Sequence, residues 1–257
     1  MAAMAQAAVP FVDDAAAPPV RGMLHPAATD AADDALVLAH GAGGNRDAPL
    51  LVAVATMFAA CGLTVLRCDL PFRQARAQGP PAATSAARDR AGLERAVLAM
   101  RARVSGRVFL GGHSYGGRQS SMLAAEQPAL AAGLLLLSYP LHPPRRPEAA
   151  RTAHFAFLRT PALFVHGSRD PFGSLEAVRE ALRLIPAPTA LVAVEGAGHA
   201  LLPRGRGEEA MDLMSAVVSA FLALVGSRGE DVKSMRDVGE REGMVGAGGF
   251  EPPTSAV

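Results

Sequence analysis

Gly112-His113-Ser114-Tyr115-Gly116 places a serine between two glycines, where the apolar run Arg107–Gly111 gives way to a helical stretch, Tyr115–Gln127. A sharp strand-to-helix turn crowds backbone segments together, so most side chains are too large beside it. It also lifts the serine hydroxyl clear of the sheet, at the positive end of the following helix. A hydroxyl so placed can act as a nucleophile if a base accepts its proton and an acid orients the base. In open sheets such partners come from loops at the carboxyl ends of strands. Gly167-Ser168-Arg169-Asp170 follows the apolar run Ala162–His166, and Glu195-Gly196-Ala197-Gly198-His199 follows Thr189–Val194. Asp170 is the candidate acid, and His199 is the sole histidine after it. The order Ser, Asp, His is the one this turn predicts. No acid follows the run ending at Ser138 until Glu148, so the alternative acid position is empty.

Acyl transfer also needs donors for a developing oxyanion. His40-Gly41-Ala42-Gly43-Gly44 follows the first clear strand, and its backbone N–H groups can serve. The expected pair is the N–H of Ala42 and of Tyr115, with Gly43 as the substitute for Ala42. A dinucleotide loop fails here, because Arg46 stands where G-x-G-x-x-G requires its third glycine.

The remaining candidates have weaker signals. His40, His113 and His166 adjoin strand ends and are read as structural, supporting the site from behind. His142, in Tyr139-Pro140-Leu141-His142, follows a strand on the same side and is expected to line the substrate pocket with Gly43. Arg73, Arg145, Arg146 and Arg169 lie in loops on that side, where they would favour an acidic substrate or stand solvated. No H-E-x-x-H or close His/Asp/Glu cluster occurs, so neither a metal nor a cofactor is expected. The sole lysine is Lys233, in the C-terminal stretch, which leaves Schiff-base chemistry, a Ser–Lys pair and a Walker phosphate loop without their lysine.

The elements that must position these residues alternate regularly. Ala35–His40, Leu63–Cys68, Arg107–Gly111, Gly133–Ser138, Ala162–His166 and Thr189–Val194 are short, largely apolar runs, the pattern of strands covered on both faces. Helices are expected between them. One opens at Asp47 and Pro49 and ends at Gly62. Others lie at about Ser85–Val104, Tyr115–Gln127, Pro147–Phe157 and Gly173–Ile185. A last helix carries Met211, Met214, Val217, Val218, Phe221, Leu222 and Val225 at helical spacing up to Gly226. The fold class is therefore α/β: a doubly wound, mostly parallel sheet of about 6–8 strands with helices on both faces and no large lid domain.

Residues 1–32 read as a loose Ala/Pro-rich leader with short strands at Val9–Val12 and Val20–Leu24; residues 33–226 form the domain; residues 227–257 are polar, Gly-rich and expected to be disordered. Half of the 257 residues are hydrophobic and the net charge is +1, so no bulk field steers nucleic acid or a membrane surface. No uninterrupted apolar run has the length of a membrane span, and no Lys or Arg precedes Arg21, as a signal peptide would require. With two cysteines, Cys61 and Cys68, there is no disulfide framework. A cytoplasmic protein acting on a small-molecule acyl substrate is expected.

Taken together, the elbow at Ser114 and the ordered Asp170 and His199 resemble the α/β-hydrolase superfamily over residues 35–225. Leu38–Asn45, Ser138–His142 and His199 followed by Gly205-Arg206-Gly207 are similar to its small testis-expressed and NSL-complex-subunit-like branch, which is related to dienelactone hydrolases. The resemblance implies an eight-stranded sheet, the triad Ser114, Asp170 and His199, and esterase-like acyl transfer to water. Because that branch includes members found as complex subunits, a catalytically silent binding or scaffold protein on the same fold is the alternative.

Overall fold

The computed structural model describes residues 7–28, 34–202 and 207–226. Among the described residues eight strands run in chain order as β1 (Val9–Asp13), β2 (Val20–His25), β3 (Ala35–Ala39), β4 (Thr64–Cys68), β5 (Val108–His113), β6 (Leu134–Leu137), β7 (Ala162–Gly167) and β8 (Thr189–Val194). The helices are α1 (Pro49–Ala60), α2 (Pro71–Ala75), α3 (Ala86–Arg101), α4 (Tyr115–Glu126), α5 (Leu175–Leu182) and α6 (Gly207–Gly226). One sheet holds all eight strands in the order β1-β2-β4-β3-β5-β6-β7-β8, parallel from β4 onward and antiparallel at β1 and β2.

Alternate side chains of a strand leave on opposite faces, so a strand covered on both sides must be apolar throughout. Leu36 and Leu38 of β3 enter a layer with Leu51, Val54, Phe58, Val217 and Phe221 of α1 and α6. Val37 and Ala39 face the other layer, with Leu93, Val97, Leu123 and Val178 of α3, α4 and α5. The order also creates the crevice. β4 lies on one side of β3 and β5 on the other, so successive crossovers diverge there and their carboxyl ends stay uncovered.

Three expectations are corrected. The described part of the leader is not loose: β1 and β2 pair with each other, and β2 pairs with β4, which brings the count to eight strands. The helix expected at Pro147–Phe157 is absent. Arg151 N–H donates to Leu141 O and the Arg151 carbonyl accepts from the Tyr139 hydroxyl, both at 2.7 Å, which ties the backbone to the segment after β6, and only the 3-10 turn Phe155–Phe157 forms. Asp47 does not cap α1: the capping position is Ala48, without a side-chain bond, while Asp47 accepts from Arg67 at 3.1 Å. The window Glu209–Gly226 of α6, with mean hydropathy 1.6, is by length and composition long and apolar enough to cross a membrane, and Asp212 interrupts it, as expected of a chain without a continuous apolar run of that length. Its face of Met214, Val217, Val218 and Phe221 is buried against the sheet. Residues 203–206, and with them Gly205 and Arg206 of the branch motif, lie outside the described residues, as do residues 227–257.

Candidate active site

The strand β5 ends at the centre of the crevice, and the chain turns sharply there into α4. Ser114 sits at the turn with φ 51° and ψ −114°, a backbone conformation that non-glycine residues rarely hold without support from their surroundings. Its N–H donates to Leu137 O at 2.8 Å, tying the turn to β6. The flanking glycines are required by close approach. A Cβ on Gly116 would meet the carbonyl oxygens of His40 at 2.6 Å and Ala39 at 2.7 Å, and one on Gly112 would run into Ala39 O. Because these obstacles are backbone atoms, Gly116→Ala is expected to cost about 1–3 kcal/mol, read as a fall in Tm.

Two loops from outer strands reach inward to the serine. Asp170 follows β7 and His199 follows β8. His199 Nε2 lies 2.8 Å from Ser114 Oγ, and its Nδ1 lies 2.8 Å from Asp170 Oδ2. The geometry assigns the tautomer. An ionised carboxylate only accepts, so the imidazole proton is on Nδ1 and the Nε2 lone pair faces the serine hydroxyl. Asp170 has a fully buried side chain, while that of His199 is 24% exposed, so the acid is sheltered and the base meets solvent. Burial alone would raise the Asp170 pKa. The bond from His199, the Phe172 N–H at 2.9 Å and the nearby His199 and His166 together hold it below the ordinary carboxylate value.

Neighbouring rings hold the base in place. Phe172 packs on His199 with centroids 4.3 Å apart, and His113 Nε2 donates to the His199 carbonyl at 2.8 Å. Burial lowers the His113 pKa, consistent with a neutral ring in that position. His166 bonds Gly173 O at 2.8 Å and stands 3.9 Å behind Asp170.

The loop after β3 meets the elbow from the other side. Gly41 to Gly44 form a turn closed by Gly44 N–H to Gly41 O at 3.1 Å, and a Cβ on Gly41 would stand 3.5 Å from Ser114 Cβ. Tyr115 is the first residue of α4, where a helix leaves its N–H groups without internal acceptors. Among the described residues neither the Ala42 nor the Tyr115 N–H has a protein acceptor. The Tyr115 hydroxyl turns away and donates to buried Asp89 at 2.8 Å. Burial raises the Asp89 pKa despite that bond and one from the Phe72 N–H.

Other candidates fall outside this cluster. Gly43 is exposed, with open space where a Cβ would stand. His142 is half-buried on the same rim: its N–H donates to Phe172 O at 3.0 Å, but its ring Nδ1 bonds Pro143 O rather than the Ser114–His199 pair. Arg145, Arg146 and Arg169 are exposed, whereas Arg73 is buried and bonded to four backbone carbonyls, not poised in a solvated loop. Phe172, Arg73 and Asp89 had no motif to mark them; their partners are remote in sequence.

A nucleophile elbow at the central crevice of an eight-stranded, mostly parallel sheet defines a hydrolase of the α/β class. Residues 32–226 match the model of the family described as "Alpha/beta hydrolase domain", and the chain belongs to that family. Solved structures agree on the fold. A dienelactone hydrolase from Anabaena variabilis has 19% identity and a TM-score of 0.66, over 86% of this chain and 98% of its own. A Thermus thermophilus protein has 25% identity and a TM-score of 0.64, over 87% and 100%. A Xanthomonas campestris serine hydrolase described as lacking a lid has 18% identity and a TM-score of 0.62, over 82% and 91%.

Proposed function

We propose that this protein is a serine hydrolase that cleaves a small ester, thioester or amide through an acyl-enzyme on Ser114. The observation that carries the proposal is the unbroken hydrogen-bonded line from Asp170 through His199 to Ser114, with both links at 2.8 Å. His199 Nε2 takes the hydroxyl proton as Oγ attacks the carbonyl carbon. Asp170 keeps the ring in the right tautomer and stabilises the imidazolium that forms. The N–H groups of Ala42 and Tyr115 receive the oxyanion, His199 returns the proton to the leaving group, and water activated by the same ring releases the acid. No metal or cofactor enters this sequence.

The segment between β6 and β7 contains one 3-10 turn and nothing large enough to roof the site. A closed apolar pocket discriminates single methylenes by about 10-fold or more. An open site has no such wall, so kcat/KM for 4-nitrophenyl esters is expected to vary by less than about 10-fold from acetyl to octanoyl chains. A fluorophosphonate probe together with that ester series tests the function. Labelling with turnover supports the hydrolase; a folded protein that does neither would be a scaffold on the same fold. The testis-expressed and NSL-complex-subunit-like branch is the proposed placement within the family, on the Leu38–Asn45 and Ser138–His142 motifs. Free Cys61 and Cys68 fit the cytoplasmic location expected for such an enzyme.

A further inference from the structure

We infer that Arg73, together with His40, is a positioning residue that sets the direction of the oxyanion-binding N–H of Ala42; the inference rests on the hydrolase function proposed above. A trans peptide unit is planar, and its C=O and N–H point in opposite directions. Whatever grips a carbonyl therefore aims the N–H of the next residue. The two peptide planes flanking Ala42 are each gripped in this way.

The first is held by His40. Leu70 N–H donates to His40 Nε2 at 3.1 Å, so Nε2 is the bare nitrogen and the proton is on Nδ1. Nδ1–H then donates to Gly41 O at 2.8 Å and turns the Ala42 N–H the opposite way. The His40 side chain is fully buried, and burial lowers its pKa, with Arg73 adding to that against the raising effects of Gly41 O and Asp69.

The second plane is held by Arg73. Its Nη2 donates to Ala42 O at 3.0 Å and its Nε to Gly44 O at 2.8 Å, clamping the turn on the far side of Ala42, so that residue is held from both of its peptide planes. The same head bonds Gly79 O at 3.0 Å and Arg76 O at 3.2 Å. Arg73 is 8% exposed and lies with its guanidinium carbon 5.0 Å from the centre of the Phe72 ring. Among the described residues no carboxylate pairs with it. A guanidinium buried among carbonyls alone spends its planar, multi-donor geometry on backbone shape, and a lysine cannot reproduce that fork. Asp89 extends the link to the second donor, since it accepts from both the Phe72 N–H and the Tyr115 hydroxyl.

The test measures oxyanion stabilisation directly. Sulfur accepts hydrogen bonds poorly, so the ratio of kcat/KM for an oxo ester to that for its thiono counterpart reports how well the donors are aimed. For Arg73→Gln and Arg73→Lys, kcat on 4-nitrophenyl acetate is expected to fall by ~100-fold, the loss typical of one oxyanion donor, with KM little changed. The oxo-to-thiono ratio should fall in parallel, and His40→Gln should shift it the same way. Methylguanidinium at millimolar concentration should restore part of the rate to Arg73→Ala but not to wild type. Circular dichroism and melting curves establish that each variant is folded. Folded variants with wild-type kcat, or with a lower kcat and an unchanged ratio, overturn the inference, as does failure of both Arg73→Gln and Arg73→Lys to fold. If wild-type protein neither labels with fluorophosphonate nor turns over the ester, the hydrolase function itself fails and the inference goes with it. An active wild type with an unaffected Arg73 variant sinks the inference alone.

Discussion

Ser114→Ala is expected to lose about a million-fold in kcat, leaving only the residual rate supplied by binding and the oxyanion donors. The alanine side chain keeps the Cβ and removes the single atom that forms the acyl bond, so the fold should not change. Ser114 already holds φ 51° under the constraint of Leu137 O and the Gly112 and Gly116 contacts, and alanine can be held there by the same surroundings. The measurement is ester turnover paired with fluorophosphonate labelling and a melting curve. Labelling that persists in a folded Ser114→Ala protein would place the nucleophile elsewhere and end the proposed mechanism.

Asp170→Asn carries the second largest expected effect, about 10,000-fold in kcat with substrate binding retained. The reason is the proton on His199. An amide in place of the carboxylate can present an N–H to Nδ1, which puts the imidazole proton on Nε2, facing Ser114 Oγ across the 2.8 Å gap. The base then has no lone pair where it is needed. Stability responds separately. The Asp170 carboxyl is held below its ordinary value, because the bonds from His199 and the Phe172 N–H outweigh burial. A depressed folded-state pKa means the ionised group contributes its full stabilisation above the unfolded-state value and loses it as pH falls through the folded-state value. The gap in urea midpoint between wild type and Asp170→Asn should therefore stay constant from neutral pH downward and close only in strong acid. A gap that closes near neutrality would contradict this electrostatic account.

Much of the positioning frame could be read from local pattern. Continuous apolar runs such as Leu134–Leu137 can hardly be anything but strands buried on both faces, and that burial is observed. The glycines around Ser114 signal a turn with no room for side chains, a property of a few consecutive residues. That most strands run parallel follows from the same logic, since helices between successive strands are the crossovers parallel pairing needs.

Other features were decided only when the chain closed on itself. β1 and β2 are short, partly exposed segments whose place in the sheet depends on β1 pairing with β2 and on β2 pairing with β4, a partner forty or more residues away. Arg73 looked like any loop arginine; its role comes from carbonyls at Ala42, Gly44, Arg76 and Gly79, and a carbonyl has no residue-type signature. Phe172 on His199, His113 on the His199 carbonyl and Asp89 beneath Tyr115 are likewise contacts between separate loops or helices. The amino-acid sequence by itself determined the period, the breakers and the order of reactive residues, because those are properties of neighbours. The tertiary structure alone decided which peptide planes face the nucleophile and what holds them there, because hydrogen bonds between remote backbone groups are set by distance and direction in space.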